Sequence, residues 1–154
     1  MLSITEKQKI EDEIKKFPQK SAACIEALKI VQEERRWVPD DAVTDIAGIL
    51  EMTPSEVDSV ATFYNQIYRK PVGKHIILLC DSISCYVMGY EGIQQQLNKK
   101  LGIDFGETTG DNRFTLLPIQ CLGNCDRSPT MMIDNDLYSN LNPETLDEIL
   151  KKYQ

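Results

Sequence analysis

The sequence predicts a mixed α+β or α/β chain in two parts: an N-terminal helical bundle over residues 1–71, then a βαβ–ββα domain over residues 72–154. Three observations carry this. Before Pro71-Val72-Gly73 apolar residues recur only at helical spacing and no segment reads as a strand. After it, short runs rich in β-branched residues alternate with helical ones. Four of the five cysteines form two close pairs, each at the exit of a predicted strand.

Ser3 with Glu6 three residues later is a capping box, in which each side chain satisfies a backbone N–H left over at a helix start. Ile10, Ile14 and Phe17 continue that first helix until Pro18 stops it. Cys24, Ala27, Leu28 and Val31 stand at i, i+3, i+4 and i+7, one apolar stripe, while Glu26, Lys29, Gln32 and Glu33 point away. Pro39 opens a third helix with Val43, Ile46, Ala47 and Leu50 on one face. Thr53-Pro54-Ser55-Glu56 is a second capping box with proline in the first helical position, and it starts a fourth helix carrying Val57, Val60 and Ala61.

In the second part, His75–Cys80 reads as a buried strand. A polar loop leaves it. Ile93, Leu97 and Leu101, spaced by four, make a helix that Gly102 ends, and a glycine-containing loop leads to a second strand at Phe114–Ile119. Thr130–Ile133 and Leu137–Tyr138 form short strands around Asp134-Asn135-Asp136, a hairpin turn. Asn142-Pro143-Glu144 caps a last helix with Leu146, Ile149, Leu150 and Tyr153 on one side. This order of elements is that of a thioredoxin-like fold.

Composition narrows the function. The 17 Lys+Arg against 24 Asp+Glu leave a net charge of −7, which repels phosphate backbones, and no basic stripe offsets it. The longest clear apolar run, Ile76–Cys80, is far short of the roughly 20 residues of a membrane helix. The opening Met1-Leu2-Ser3-Ile4-Thr5-Glu6-Lys7 lacks the apolar core of a secretory signal, so a cytoplasmic location is expected. No G-x-G-x-x-G follows a strand, so a dinucleotide site is not expected on this chain.

In a reducing compartment, clustered cysteines point to metal or redox work rather than disulfides. Cys80 and Cys85 form C-x₄-C after the first strand; Cys121 and Cys125 form C-x₃-C after the second. If the two strands are parallel, both pairs lie at the same sheet edge and four thiolates meet in one volume. Thiolates gathered so closely repel one another unless a soft metal centre neutralises them, and sulfur ligands select zinc or an iron–sulfur cluster. The spacing permits either. A two-iron cluster would place Cys80 and Cys85 on one iron and Cys121 and Cys125 on the other. Gly123 lets backbone N–H groups approach sulfur, and Asp81, Asp126 and Arg127 set the local charge. Neither pair is the C-x-x-C of a dithiol oxidoreductase.

Cys80-x₄-Cys85, Cys121-Leu122-Gly123-Asn124-Cys125-Asp126 with Pro129, Trp37-Val38-Pro39 and Val60-Ala61-Thr62-Phe63-Tyr64 together resemble the family of 24-kDa-type subunits of bacterial NADH-quinone oxidoreductases, the respiratory complex I. The resemblance runs from the second helix to the C-terminus. It implies one [2Fe-2S] cluster on a thioredoxin-like ferredoxin domain, held by Cys80, Cys85, Cys121 and Cys125. It further implies electron exchange with FMN on a partner subunit that oxidises NADH, and a second partner in the larger iron–sulfur subunit of the peripheral arm. By the same resemblance the chain belongs to a proton-translocating complex on the cytoplasmic face of the inner membrane and meets the membrane only through it. The module also occurs in NAD-linked hydrogenases and formate dehydrogenases, which are the alternative assemblies; a zinc-stabilised thioredoxin-like binding module is the non-redox alternative. Ser128 stands where many relatives carry Ala, one small residue for another.

The remaining chemistry-bearing residues have plainer readings. Cys24 sits on an apolar helix face and reads as core. His75, the only histidine, reads as a solvated residue at a strand start. Trp37, Phe63 and Tyr64 read as core, with a partner-facing role as second choice. Of Met131 and Met132, alternation along a strand puts one inward.

Overall fold

Chain contacts divide the protein after Pro71. The structure, a computed structural model, describes residues 1–153. In the first unit, α1 (Ile4–Ile14) opens with the Ser3/Glu6 capping box in both directions: Ser3 Oγ accepts from Glu6 N at 3.1 Å and Glu6 Oε2 accepts from Ser3 N at 2.6 Å. A 3₁₀ turn at Lys20–Ala23 leads into α2 (Cys24–Arg35), which ends at Arg36 with φ of 70°. Pro39 is the N-cap of α3 (Asp40–Leu50), so that helix starts one residue later than the sequence pattern suggests. α4 (Pro54–Phe63) starts at the Thr53/Glu56 capping box with Pro54 in the first turn.

The helical stripes meet in one core, where Ile10, Leu28, Val31, Ile46 and Val57 are fully buried. Each such aliphatic side chain contributes about 1.5–3 kcal/mol through burial. Glu6 is the polar exception at 2% exposure, and Arg35 answers it with two bonds, Nε to Oε1 at 2.6 Å and Nη2 to Oε2 at 2.7 Å. This fork geometry satisfies both carboxylate oxygens, without which burial of the charge would be prohibitive.

The second unit is built on a four-stranded sheet in the order β2-β1-β3-β4. β1 (His75–Cys80) pairs parallel with β2 (Phe114–Ile119), and antiparallel with β3 (Met131–Ile133), which pairs antiparallel with β4 (Asp136–Tyr138). Between β1 and β2 run a short α5 (Ile83–Val87) and α6 (Tyr90–Leu101); α7 (Thr145–Lys151) follows the sheet. Gly102 ends α6 at φ of 69°, the left-handed stop that glycine accepts without strain. Ile93 and Leu97 of α6, Leu146 of α7 and Ile77, Leu79, Leu116 and Met131 of the sheet share one core.

Two further local features differ from the sequence reading. α5 lies where a polar loop was expected, because five residues are too short a segment to show helical periodicity. His75 is not solvated: its side chain is 15% exposed, Nδ1 is 2.7 Å from Asp134 Oδ2, and its ring packs on Phe114 and Tyr153. The cause is tertiary, since pairing of β3 with β1 carries the Asp134 turn over the start of β1. Tyr153 closes the same corner by donating to Asp136 Oδ2 at 2.6 Å; burial and that acidic neighbour push its phenol well above the usual range. Asn142 caps α7 through Oδ1, which accepts from Glu144 N and Thr145 N, so the helix starts at Thr145.

Candidate metal centre

The parallel pairing of β1 and β2 is in register to the end, Cys80 opposite Ile119. The chain therefore leaves both strands at one edge of the sheet. From β1 it enters α5, which carries Cys85; from β2 it passes through Cys121 into a 3₁₀ turn, Cys125–Arg127. The elements place Cys80 and Cys85 inside, at 2% and 1% exposure, and leave Cys121 and Cys125 on the surface. All four are free thiols.

The outer pair has its Sγ atoms 3.7 Å apart. Gly123, at φ of 75°, turns its N–H onto Cys121 Sγ at 3.3 Å, a conformation a side chain would disfavour. In the inner pair, Cys80 Sγ donates to the Gln120 carbonyl at 3.6 Å. The two loops also interlock, since the partners of Cys80 and Cys85, Gln120 and Ser128, both come from the segment that follows β2. Cys85 Sγ lies 3.5 Å from Ser128 Oγ and 3.7 Å from Thr130 Oγ1, while Ser128 Oγ donates to the Cys125 carbonyl at 2.9 Å.

These surroundings set the acidity of each thiol. Burial pushes Cys80 up, against hydrogen bonds from the backbone at Ser82 and Leu122. Burial pushes Cys85 up as well, but the Ser128 and Thr130 hydroxyls and the Cys80 thiol outweigh it and hold Cys85 below the ordinary thiol value. Hydrogen bonding with Cys121 raises Cys125. The inner sulfur Cys85 thus differs from Cys80 in having two buried hydroxyls beside it.

The donor set fits the two-iron cluster that the motif resemblance implies. Two thiolates bound at about 2.3 Å to one tetrahedral metal ion stand roughly 3.8 Å apart. The Cys121–Cys125 separation of 3.7 Å meets that condition. Among the described residues no group of three or more His, Cys, Asp or Glu side chains is gathered closely enough to hold a single ion.

The structure thus brings all four predicted cysteines to one edge and keeps Cys24 apart, buried at 4% exposure in the helical core, where desolvation raises its thiol. Met131 is the inward methionine of β3 and Met132 the half-buried one. Phe63 and Tyr64 are exposed at 77% and 43% and stack edge to face, which removes the core reading for both, while Trp37 is half-buried. The hydroxyls of Ser128 and Thr130 were missed. The available signal was a pair of small polar residues flanking Pro129 between the last cysteine and the next strand.

The thioredoxin-like [2Fe-2S] ferredoxin family matches residues 10–154. The chain is 54% identical over 153 residues to the subunit of NADH-quinone oxidoreductase designated E from Escherichia coli K12, covering 99% of this chain and 92% of that protein. It is 50% identical to the corresponding subunit of Pseudomonas aeruginosa, with the same coverage of both. Among solved structures, an NAD⁺-reducing [NiFe]-hydrogenase in the air-oxidised state shares the fold, with a TM-score of 0.70 and 21% identity over 86% of this chain and 23% of the longer hydrogenase chain. With the match spanning nearly the whole sequence and the paired cysteines at the carboxyl ends of two parallel strands, the chain belongs to the thioredoxin-like [2Fe-2S] ferredoxin family.

Proposed function

We propose that this chain is the electron-transfer subunit of an NADH-quinone oxidoreductase, with Cys80 and Cys85 on one iron of a [2Fe-2S] cluster and Cys121 and Cys125 on the other. The observation that carries the ligand assignment is the convergence of two thiol pairs on one sheet edge, one buried and one at the surface. When bound, the cluster takes up and returns one electron at a time. The residues of this chain do the rest: the core around Cys80 and Cys85 excludes water from the inner side, Gly123 N–H supports an outer sulfur, and the exposed Cys121 and Cys125 leave a short path to a partner.

Hydride chemistry belongs to the cofactors of the assembly, with FMN and NADH on the flavin subunit. Residues 72–154 form the ferredoxin domain and residues 1–71 the helical extension; both dock, on the flavin subunit and on the larger iron–sulfur subunit. Ile83, Tyr86, Val87 and Met88, exposed at 71%, 53%, 73% and 60%, surround the buried Cys85 with apolar surface that water covers poorly. Patches of this kind mark interaction sites. No described helix is long and apolar enough to cross a membrane, so the complex supplies the membrane contact.

The test is iron and acid-labile sulfide analysis of the full chain, with EPR after reduction, followed by isolation of the native complex. Two irons, two sulfides and a reduced-state signal per chain, in a complex with flavin and quinone-reductase subunits, are expected. One zinc per chain and no visible absorption would overturn the ligand reading. Recovery with hydrogenase or formate dehydrogenase subunits would replace the parent enzyme.

A further inference from the structure

One sulfur is treated differently from the other three. Cys85 is 1% exposed and lies against two side-chain hydroxyls: its thiol donates to Ser128 Oγ at 3.5 Å, and its Sγ is 3.7 Å from Thr130 Oγ1. Both hydroxyl-bearing residues are themselves buried, Ser128 at 5% and Thr130 at 1% exposure, so water does not compete for these contacts. The outer sulfurs have a different environment. Cys121 has the Gly123 N–H and is open to solvent, and Cys125 is also open.

Proton bookkeeping shows what these hydroxyls do once Cys85 is a ligand. As a thiol, Cys85 can donate its S–H to Ser128 Oγ, whose own proton goes to the Cys125 carbonyl. Binding iron removes the S–H proton, and Cys85 becomes an acceptor only. Thr130 Oγ1–H, 3.7 Å away, is then free to donate to the sulfur. Once the thiol proton is gone, Ser128 O–H can be shared between the sulfur at 3.5 Å and the Cys125 carbonyl at 2.9 Å, which would tie the loop after β2 to the ligand that follows β1.

We propose that Ser128 and Thr130 are positioning residues that raise the reduction potential of the cluster by donating hydrogen bonds to the Cys85 sulfur. The inference rests on the ligand reading of Cys85 given above. Reduction adds one electron, supplied through the flavin of the assembly, to a site already made anionic by four thiolates; no bond to the protein forms or breaks. Donors aimed at a ligand sulfur stabilise the more negative state preferentially, and they act most strongly where solvent does not screen them. Ser128 is therefore more than a small filler: its hydroxyl changes the electrostatics of one ligand.

The experiment compares the full chain with Ser128→Ala, Thr130→Val and the double variant, first by iron and sulfide content, then by EPR-monitored redox titration. Undiminished cluster content with a midpoint potential lowered in each single variant, lowest in the double, and restored toward the parent value by Thr130→Ser is the expected result. An unchanged or raised potential in variants that keep the cluster would overturn the proposal. Loss of the cluster from both single variants would also overturn it, because the hydroxyls would then be needed for assembly rather than tuning. Absence of a cluster from the unsubstituted chain is a different failure, of the ligand reading itself, and is recognised at the first step.

Discussion

Cys80 and Ile119 are register partners at the carboxyl ends of two parallel strands. Their pairing fixes where the chain leaves the sheet, and so brings the segment with Cys85 against the segment with Cys121 and Cys125. Residues far apart in sequence become neighbours because a crossover returns the second strand in the same direction as the first.

The ligand assignment separates the cysteines by function. Cys125→Ser replaces a soft thiolate by a hard alkoxide donor and should destroy the cluster or alter its EPR signal, whereas Cys24→Ser, in the helical core, should leave the spectrum as it was. Iron content and the reduced-state EPR spectrum of both variants check this. Unchanged spectra for the first variant, or a lost cluster in the second, would contradict the assignment.

The apolar surface around α5 should act in assembly rather than in cofactor binding. Val87 is 73% exposed, so Val87→Asp places a charge where docking would have to desolvate it. Affinity for the flavin subunit should fall by about tenfold or more, equivalent to roughly 1.4 kcal/mol, with iron content unchanged. A titration of the purified subunits provides the number, and undiminished binding would remove α5 from the interface.

Glu6 makes the helical unit acid-sensitive. The Arg35 guanidinium, helped by Ser3 and opposed by burial, holds its carboxyl below the ordinary value of 4.5. A depressed folded-state pKa contributes stability that is present above the unfolded-state value and is lost as pH falls through the folded one. Unfolding measured by circular dichroism should therefore show a loss of stability below about pH 4.5 that Glu6→Gln removes. Arg35→Ala, which strands a buried carboxylate, should cost about 3 kcal/mol at neutral pH.

Gly73 is required for space. A Cβ there would stand 2.9 Å from the Asn112 carbonyl oxygen and 3.1 Å from backbone carbons of Arg113 and Phe114, none of which can swing aside. The Gly73 N–H also donates to Thr115 Oγ1 at 2.7 Å, holding the approach to β1 against β2. Gly73→Ala should cost about 1–3 kcal/mol by denaturant unfolding, with a lower midpoint and an unchanged slope. An unchanged midpoint would show that this segment can shift at little cost.

What the sequence by itself determined is local. The capping boxes at Ser3 and Thr53, the apolar stripes of α2, α3 and α6, the glycine stop at Gly102 and the β-branched run of β1 each arise from interactions within a few residues, which is why spacing alone reveals them. The cysteine spacing likewise pointed to the candidate ligands and the odd Cys24. The tertiary structure decided what depends on strand pairing. It buried Cys80 and Cys85 while leaving Cys121 and Cys125 at the surface, folded His75 under the Asp134 turn, and set the hydroxyls of Ser128 and Thr130 on one sulfur. Those relations join residues about 40 to 60 positions apart. No local propensity encodes them; they follow from the register of β1 against β2 and β3, which only the packed sheet fixes.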